Sequence, residues 1–289
     1  MNKSTTMRQP PSSMFIIVVA SLVGVIGFAY PFVLPVVRGG NDRSAHAADA
    51  PLVFAVVTAL SLLAIAAELD GVTTARRSAS KTVALLGVLV ALDASLRLAP
   101  SFLGASPIFL LIVLVGAVFG PTFGFQMGAL TLLVSAFLTG GIGPWLPYQM
   151  LGAAWVGMSA GWLPRFGSPR RRLVALAAFG AGWGLLFGAL MNLYFWPYAA
   201  PGVESDAGLY WSPSLTFAET VERYARFYLT TSLGFDLFRA AGNAVLIVLL
   251  GGPVLHVLDR FRARFAWEPW EEMESEARTP AGEVAPAGS

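Results

Sequence analysis

The feature that most constrains this chain is a series of apolar stretches separated by short polar connections. A membrane-spanning helix needs about 20 mostly apolar residues, and eight segments reach or approach that length. Charged residues make up 12% of the 289 residues, against roughly 25% in soluble domains. The sequence therefore predicts an all-α integral membrane protein with about eight spans. They lie near 14–37, 52–69, 82–100, 106–119, 122–139, 145–163, 173–195 and 229–258.

Basic residues predict the orientation of these spans. Positive charges precede the first span and follow the second, sixth and eighth spans, and lysine and arginine favour the cytoplasmic side of a membrane. The connections 38–50 and 197–225, which would lie outside, offset their arginines with acidic residues. We therefore expect both chain ends inside the cell. The basic clusters are Lys3 and Arg8; Arg76, Arg77 and Lys81; Arg165, Arg170, Arg171 and Arg172; and Arg260, Arg262 and Arg264.

Several kinds of chemistry find no support in the sequence. The chain has no cysteine and two histidines, which leaves no thiolate nucleophile and argues against a metal site. It has no Walker A lysine motif, no HExxH and no GxSxG, so we expect neither ATP hydrolysis by this chain nor a catalytic residue. We also expect no cofactor and no nucleic-acid partner. Any uphill transport would draw its energy from another subunit.

The stretch LTGGIGPWLPYQM (138–150) carries glycines and prolines that would spoil a continuous helix. It predicts an outer turn after the fifth span, followed by a helix that holds Pro147 in its first turn, where the missing N–H costs little. This reading places Trp145, Tyr148 and Gln149 at the outer end of the sixth span, at the mouth of a candidate site.

The third span combines two charged residues with a stripe of small ones. Asp93 and Arg97 are four residues apart and can pair, which would either lock the helix to a neighbour or offer Arg97 to a ligand. Gly87, Ala91 and Ser95 also recur every four residues, and such stripes let another helix approach closely. They predict either internal packing or a docking surface for a second membrane subunit.

The last two spans hold further polar groups, which are costly in a membrane and are therefore functional candidates. Asp236 and Arg239 are three apart and can pair, and Asn243 follows one turn inward. Asn192 and Trp196 lie near the outer end of the seventh span. Several such groups close together would suit the binding of a polar, ring-bearing solute. The alternative is that they form hydrogen bonds between helices.

The connection WPYAAPGVESDAGLYWSPSLTF, which begins at Trp196, is long and rich in aromatic residues. Its aromatic residues predict either a belt at the outer membrane interface or a lid over an outward-facing site. They are Trp196, Tyr198, Tyr210 and Trp211.

The run from about Lys81 to Arg260 resembles the substrate-specific S components of energy-coupling factor (ECF) transporters. The resemblance rests on LDASLRLAP (92–100), on the whole of 106–150, on LMNLYFWPY (190–198) and on TSLGFDLFRAAGNAVLI (231–247). It implies a six-helix substrate-binding bundle over 81–260. Two additional spans over 14–80 precede that bundle, and polar tails over 1–13 and 261–289 flank the whole.

The resemblance also implies partners. S components capture a vitamin or related micronutrient from outside the bacterial cytoplasmic membrane and associate with a transmembrane T component and two ABC-type ATPases. Their first helix meets the T component through an Ala-x-x-x-Ala stripe, which Gly87, Ala91 and Ser95 match in position. The loop after that helix, about 98–106, would close over the solute with Arg97 at its root. Among S components, the chain looks most like the cobalamin-type branch.

The expected solute contacts combine the outer turn, the third span and the last two spans. An autonomous secondary transporter is one alternative. A membrane enzyme using Asp93 with Asp236, or a scaffold subunit without transport, is another. The predicted contacts are Arg97, Trp145, Tyr148, Gln149, Asn192, Trp196, Asp236, Arg239 and Asn243.

Overall fold

The computed structural model describes residues 11–38, 55–56, 58–59, 63, 76–99, 106–164, 166–198, 208–212 and 214–265. Regular secondary structure in these residues is helical, which confirms the predicted all-α architecture. The helices are α1 Pro11–Arg38, α2 Arg76–Leu96, α3 Ile108–Phe119, α4 Pro121–Thr139, α5 Leu146–Ala160, α6 Pro169–Phe195, α7 Phe217–Thr231 and α8 Leu233–Phe265. A short 3₁₀ turn, Trp196–Tyr198, extends α6.

The membrane class of the protein is evident from its helices. In the part of the chain that the structure describes, three helices are long and apolar enough to cross a membrane: Pro121–Thr139, Pro169–Phe195 and Leu233–Ala263. The helix α3 has only 12 residues, yet its neighbours bury it on nearly every side. The number of spans stays a prediction. The second predicted span, most of the loop 98–106 and most of both tails lie outside the described residues.

The predicted loop 197–225 contains a helix that the sequence analysis missed. Helix α7 begins after Thr216, whose hydroxyl accepts a hydrogen bond from the Glu219 backbone N–H at 3.3 Å, while the Glu219 carboxylate accepts from the Thr216 N–H at 2.8 Å. This reciprocal capping box starts a helix without any long apolar run. As a result, α8 begins at Leu233 rather than near 229.

Helices α3, α4 and α5 meet backbone against backbone. A Cβ added to Gly157 would lie 2.0 Å from the Gly124 carbonyl oxygen, and one added to Gly128 would lie 2.1 Å from the Ala153 oxygen. Gly116 of α3 meets Gly157 in the same way, at 2.1 Å from its oxygen. Close approach of this kind is how membrane helices gain packing energy.

The turn between α4 and α5 confirms the interpretation of the broken stretch. Gly140 ends α4 in the left-handed conformation with φ 66°, which glycine adopts without steric cost. Pro147 lies in the first turn of α5. The glycines and prolines therefore mark the end of one helix and the start of the next.

Side-chain contacts identify which helix termini share an end of the bundle. The Arg172 Nη1 and Asp259 Oδ2 atoms are 2.6 Å apart, and Arg262 Nη1 donates to the Val118 carbonyl oxygen at 3.0 Å. The start of α6 and the ends of α3 and α8 therefore lie together. We call this the inner end, because it gathers two of the predicted cytoplasmic basic clusters, and we call the opposite end the outer end.

Candidate solute-binding site

A polar seam joins α6 to α8. Along α6, Gly180 and Gly184 recur at four-residue spacing and expose their carbonyls to the facing helix. Asn243 Nδ2 donates to the Gly180 oxygen at 2.9 Å, and Arg239 Nη1 donates to the Gly184 oxygen at 3.2 Å. The seam therefore follows the register of two antiparallel helices. Its members are Gly180, Gly184, Gly188 and Asn192 on α6, Asn243, Arg239 and Asp236 on α8, and Ser232 between α7 and α8.

The predicted pair of Asp236 and Arg239 forms within this seam. The Asp236 carboxylate sits directly against Gly188, where an added Cβ would lie 2.0 Å from both carboxylate oxygens. The Arg239 guanidinium also lies 5.7 Å from the centre of the Phe187 ring, a distance at which a cation is attracted to an aromatic face. Asp236 is only 2% exposed, so this pair lies inside the bundle.

The outer end of the seam is closed by Asn192. Its Nδ2 donates to the Ser232 hydroxyl at 2.7 Å. The hydroxyl of Tyr224 on α7 donates to the Ala189 carbonyl nearby. Much of the polar cluster predicted from sequence therefore forms the expected interhelical hydrogen bonds. Two buried oxygens in it, Asp236 Oδ2 and Asn243 Oδ1, have no hydrogen-bond partner.

The predicted pairing of Asp93 with Arg97 was wrong. Asp93 Oδ2 accepts a hydrogen bond from the Thr131 hydroxyl at 3.0 Å, and Arg97 Nη1 donates to the Ser135 hydroxyl at 3.2 Å. Helix α2 ends at Leu96, so Arg97 lies in a turn and no longer has the helical geometry that would pair it with Asp93. Both residues instead bond to α4, at a Thr and a Ser spaced four apart that the sequence analysis did not single out.

Tyr148 lies at the centre of a set of aromatic rings near the outer end. Its ring centre is 4.5 Å from that of Tyr194 and 5.0 Å from that of Phe28 on α1. Next to it, Gln149 has a buried side-chain oxygen without a hydrogen-bond partner. We call this set the outer aromatic cluster: Phe28, Phe32, Tyr148, Tyr194, Trp196 and Trp211.

Trp196 and Trp211 belong to this cluster and not to an exposed belt. They are 1% and 7% exposed, and Phe32 of α1 lies 6.0 Å from the first ring and 5.5 Å from the second. The Trp196 indole N–H donates to the Leu209 carbonyl at 2.9 Å. The segment around Leu209 and Trp211 thus covers the outer aromatic cluster, in the position that the lid interpretation requires.

Trp145 lies apart from these residues. It is 44% exposed, and its indole N–H bonds back to the Gly141 carbonyl at 3.2 Å. The structure therefore buries Tyr148 and Trp196 against neighbouring aromatic residues of α1, Phe28 and Phe32 respectively, and leaves Trp145 on the surface of the turn. Phe28 and Phe32 were missed by the sequence analysis, although aromatic residues four apart at the outer end of the first span were a usable signal.

Helix α7 rests on the outer side of the seam. Burial and the nearby Asp236 charge raise the pKa of Tyr228 to about 12, and burial also raises the pKa of Tyr224. Both hydroxyls therefore stay protonated at neutral pH and can donate hydrogen bonds toward α6. This arrangement holds α7 beside the seam and next to the outer aromatic cluster.

The stripe of small residues on α2 faces outward. Gly87, Ala91 and Ser95 are exposed, and a Cβ added to Gly87 would meet nothing within 4 Å. The Ser95 hydroxyl donates to the Ala91 carbonyl at 2.8 Å, within the helix. Among the residues that the structure describes, the stripe is therefore not packed against another helix.

These features define a class of protein. Apolar helices pack through glycines, a polar seam lies inside the bundle, and aromatic residues close its outer end. Among the described residues, no group of three or more His, Cys, Asp or Glu is placed to hold a metal ion. The structure is that of a polytopic α-helical membrane protein with a candidate site for an organic solute.

The family follows from comparison with known sequences. Residues 81–251, more than half of the chain, match the family model described as "ECF transporter, substrate-specific component". The protein belongs to this family of membrane transport subunits. No curated protein and no solved structure was found to match the chain. The match excludes α1, which nevertheless contributes Phe28 and Phe32 to the outer aromatic cluster.

Proposed function

We propose that this chain captures a vitamin or related micronutrient at the outer side of the bacterial cytoplasmic membrane and passes it inward with partner subunits. The family supports a substrate-binding role. The observation that carries the site is the buried side-chain oxygen of Gln149, the residue after Tyr148, which has no hydrogen-bond partner. A buried polar atom without a partner is uncommon, and a polar group of a bound solute would satisfy it.

In this proposal the solute lies between the outer aromatic cluster and the outer part of the polar seam. Tyr148 and Trp196 contact its ring, and Gln149 bonds to its polar edge. Asn192, Asp236, Arg239 and Asn243 form the polar wall, where Asp236 Oδ2 and Asn243 Oδ1 are available to a ligand. Arg97 and Trp145 lie at the rim and make secondary contacts.

Solute entry requires the outer aromatic cluster to open, since Tyr148 and Trp196 are almost fully buried. The segment that carries Leu209 and Trp211 is the proposed lid. It is held by hydrogen bonds from Trp196 to the Leu209 carbonyl and from Arg223 to the Tyr210 carbonyl, and by a ring contact of Trp211 with Phe32. A ring-bearing solute with polar groups can replace these contacts. Among such solutes, a cobalamin-like molecule is our leading candidate.

The proposed partners are a T component and two ABC-type ATPases. The support is the outward-facing stripe of Gly87, Ala91 and Ser95, which is open to a second membrane helix. ATP hydrolysis by the partners would reorient the loaded bundle and release the solute inside. Asp93 and Asp236, the acidic pair that an enzyme would need, lie in different helix interfaces.

The test is to purify the full chain, identify any co-purifying vitamin by mass spectrometry and measure its affinity. We expect Tyr148→Ala to weaken binding by roughly tenfold or more, because aromatic stacking contributes about 1–3 kcal/mol. Trp162→Ala, an exposed tryptophan at the inner end, is the matched control and should change affinity less than about twofold. A folded chain that binds no vitamin or precursor would overturn the proposal. Solute uptake into vesicles without any ATPase would instead indicate a secondary transporter.

A further inference from the structure

A cavity of about 230 Å³ lies at the inner end of the bundle, far from the outer aromatic cluster. Its wall comes from the end of α3, the connection between α5 and α6, the first turns of α6 and the end of α8. Five of the lining residues are apolar and three are charged. The lining residues are Ala117, Leu163, Pro164, Phe166, Leu176, Arg172, Asp259 and Arg262.

Among the described residues that line this cavity, the charged side chains are two arginines and one aspartate. Arg172 forms a two-pronged pair with Asp259, at 2.6 and 3.4 Å. Because a guanidinium has five N–H donors, this pair leaves further donors on Arg172. Arg262 bonds to the Val118 carbonyl in the last turn of α3, and that bond orients its guanidinium along the same wall.

The surroundings of the cavity place it at the level of lipid headgroups. Trp162 and Phe261, which immediately precede Leu163 and Arg262 in sequence, are exposed. Exposed aromatic residues at the ends of membrane helices favour the membrane–water interface. Arg170, Arg171 and Arg260 are exposed at the same end. A wall that combines apolar side chains with two arginines fits a molecule with an anionic head and an apolar body.

We propose that this cavity binds the phosphate group of an anionic phospholipid from the inner leaflet. Arg172 and Arg262 hold the phosphate, since arginine matches its oxygens in charge and geometry. Leu163, Phe166 and Leu176 contact the apolar part of the lipid. The bound lipid ties α3, α6 and α8 together at the inner end. The site is independent of solute binding at the outer end.

The test uses the full chain, purified in detergent and stripped of lipid. It is titrated with phosphatidylglycerol or with phosphatidylcholine of the same acyl chains, while native mass spectrometry counts bound lipid and tryptophan fluorescence follows thermal unfolding. We expect phosphatidylglycerol to bind roughly tenfold more tightly, because the choline cation of phosphatidylcholine offsets its phosphate charge and is repelled by the arginines. Equal affinity for both lipids would overturn the proposal. So would equal stabilisation by inorganic phosphate alone, which would identify the ligand as a free anion.

Two variants separate a lipid site from a purely structural ion pair. The double variant Arg172→Gln with Asp259→Asn replaces the ion pair by two neutral amides. This protein should no longer prefer phosphatidylglycerol. Asp259→Asn alone removes the carboxylate that competes with phosphate, and should tighten binding by about fivefold. If the pair were only structural, Asp259→Asn would lower the melting temperature without changing the lipid preference. Arg226→Gln, an exposed site on α7, is the control and should leave both measurements unchanged.

Discussion

Glycine lines both the α4–α5 and the α6–α8 interfaces, but it has a different structural role in each. Between α4 and α5, Gly124 and Gly157 bring one backbone against the other, and an added Cβ would meet main-chain atoms about 2 Å away. Between α6 and α8, Gly188 makes room for the Asp236 carboxylate. The first interface is a rigid apolar contact. The second buries a charged pair inside the bundle and leaves Asp236 Oδ2 and Asn243 Oδ1 without hydrogen-bond partners.

We expect the largest effect from substituting a glycine in a tight interface, compared with the same substitution of a glycine on an open face. Gly157→Leu should prevent folding or lower the free energy of unfolding by more than about 4 kcal/mol, because the leucine side chain would overlap the backbone of Gly124. Gly87→Leu is the matched control on α2, where a Cβ has open space. Both variants are compared by yield of monodisperse protein and by thermal unfolding.

Gly87→Leu also tests whether the small-residue stripe on α2 binds a partner helix. The variant should fold as well as the unmodified chain but fail to co-purify with a T component, since its side chain would hold the partner helix away. Folding losses equal to those of Gly157→Leu would show that the stripe is packed inside the molecule after all.

A smaller effect is expected in the polar seam. Arg239→Met leaves the buried Asp236 carboxylate without its cation and should cost about 3 kcal/mol. Adding Asp236→Asn removes the unpaired charge and should recover more than half of that loss. Denaturant or thermal unfolding in detergent measures both. If the double variant were no more stable than Arg239→Met, the pair would not act as a unit.

The smallest effect concerns the contact of α7 with the seam. The pKa of Tyr228 is raised from 10.0 to about 12, so the folded state keeps its proton at a pH where the unfolded state loses it. The resulting stabilisation is complete below pH 10 and is lost as the pH rises through about 12. Absorbance of ionised tyrosine should show Tyr228 among the groups that titrate late, together with Tyr224, and Tyr228→Phe should reduce the late absorbance change by one tyrosine. A normal titration in the unmodified protein would contradict the docking of α7.

Some elements of the fold could be predicted because their signals are local. The turn at Gly140, the start of α5 near Pro147 and the pairing of Asp236 with Arg239 depend on residues close in sequence, and all three were confirmed. The start of α7 was not predicted, although its Thr216–Glu219 capping box is also a local signal. The spans were predicted from long apolar runs, and α7 has only one apolar face.

The partners of buried polar groups could not be predicted in the same way. Asp93 and Arg97 satisfy the spacing rule for a pair, but the helix ends between them and each bonds to α4. Trp145 and Tyr148 are neighbours on the chain, yet one lies exposed on the turn and the other is buried among rings. Phe28 reaches Tyr148 although about 120 residues separate them.

The sequence alone determined the membrane class, the family and the small-residue stripe on α2, since each depends on composition or on spacing along one helix. Only the tertiary structure decided which polar groups face each other, that α1 completes the outer aromatic cluster, and that Arg172, Arg262 and Asp259 line one cavity. The reason is physical. A residue's position on its helix follows from a 3.6-residue period, but its partner depends on the rotation and register of a different helix.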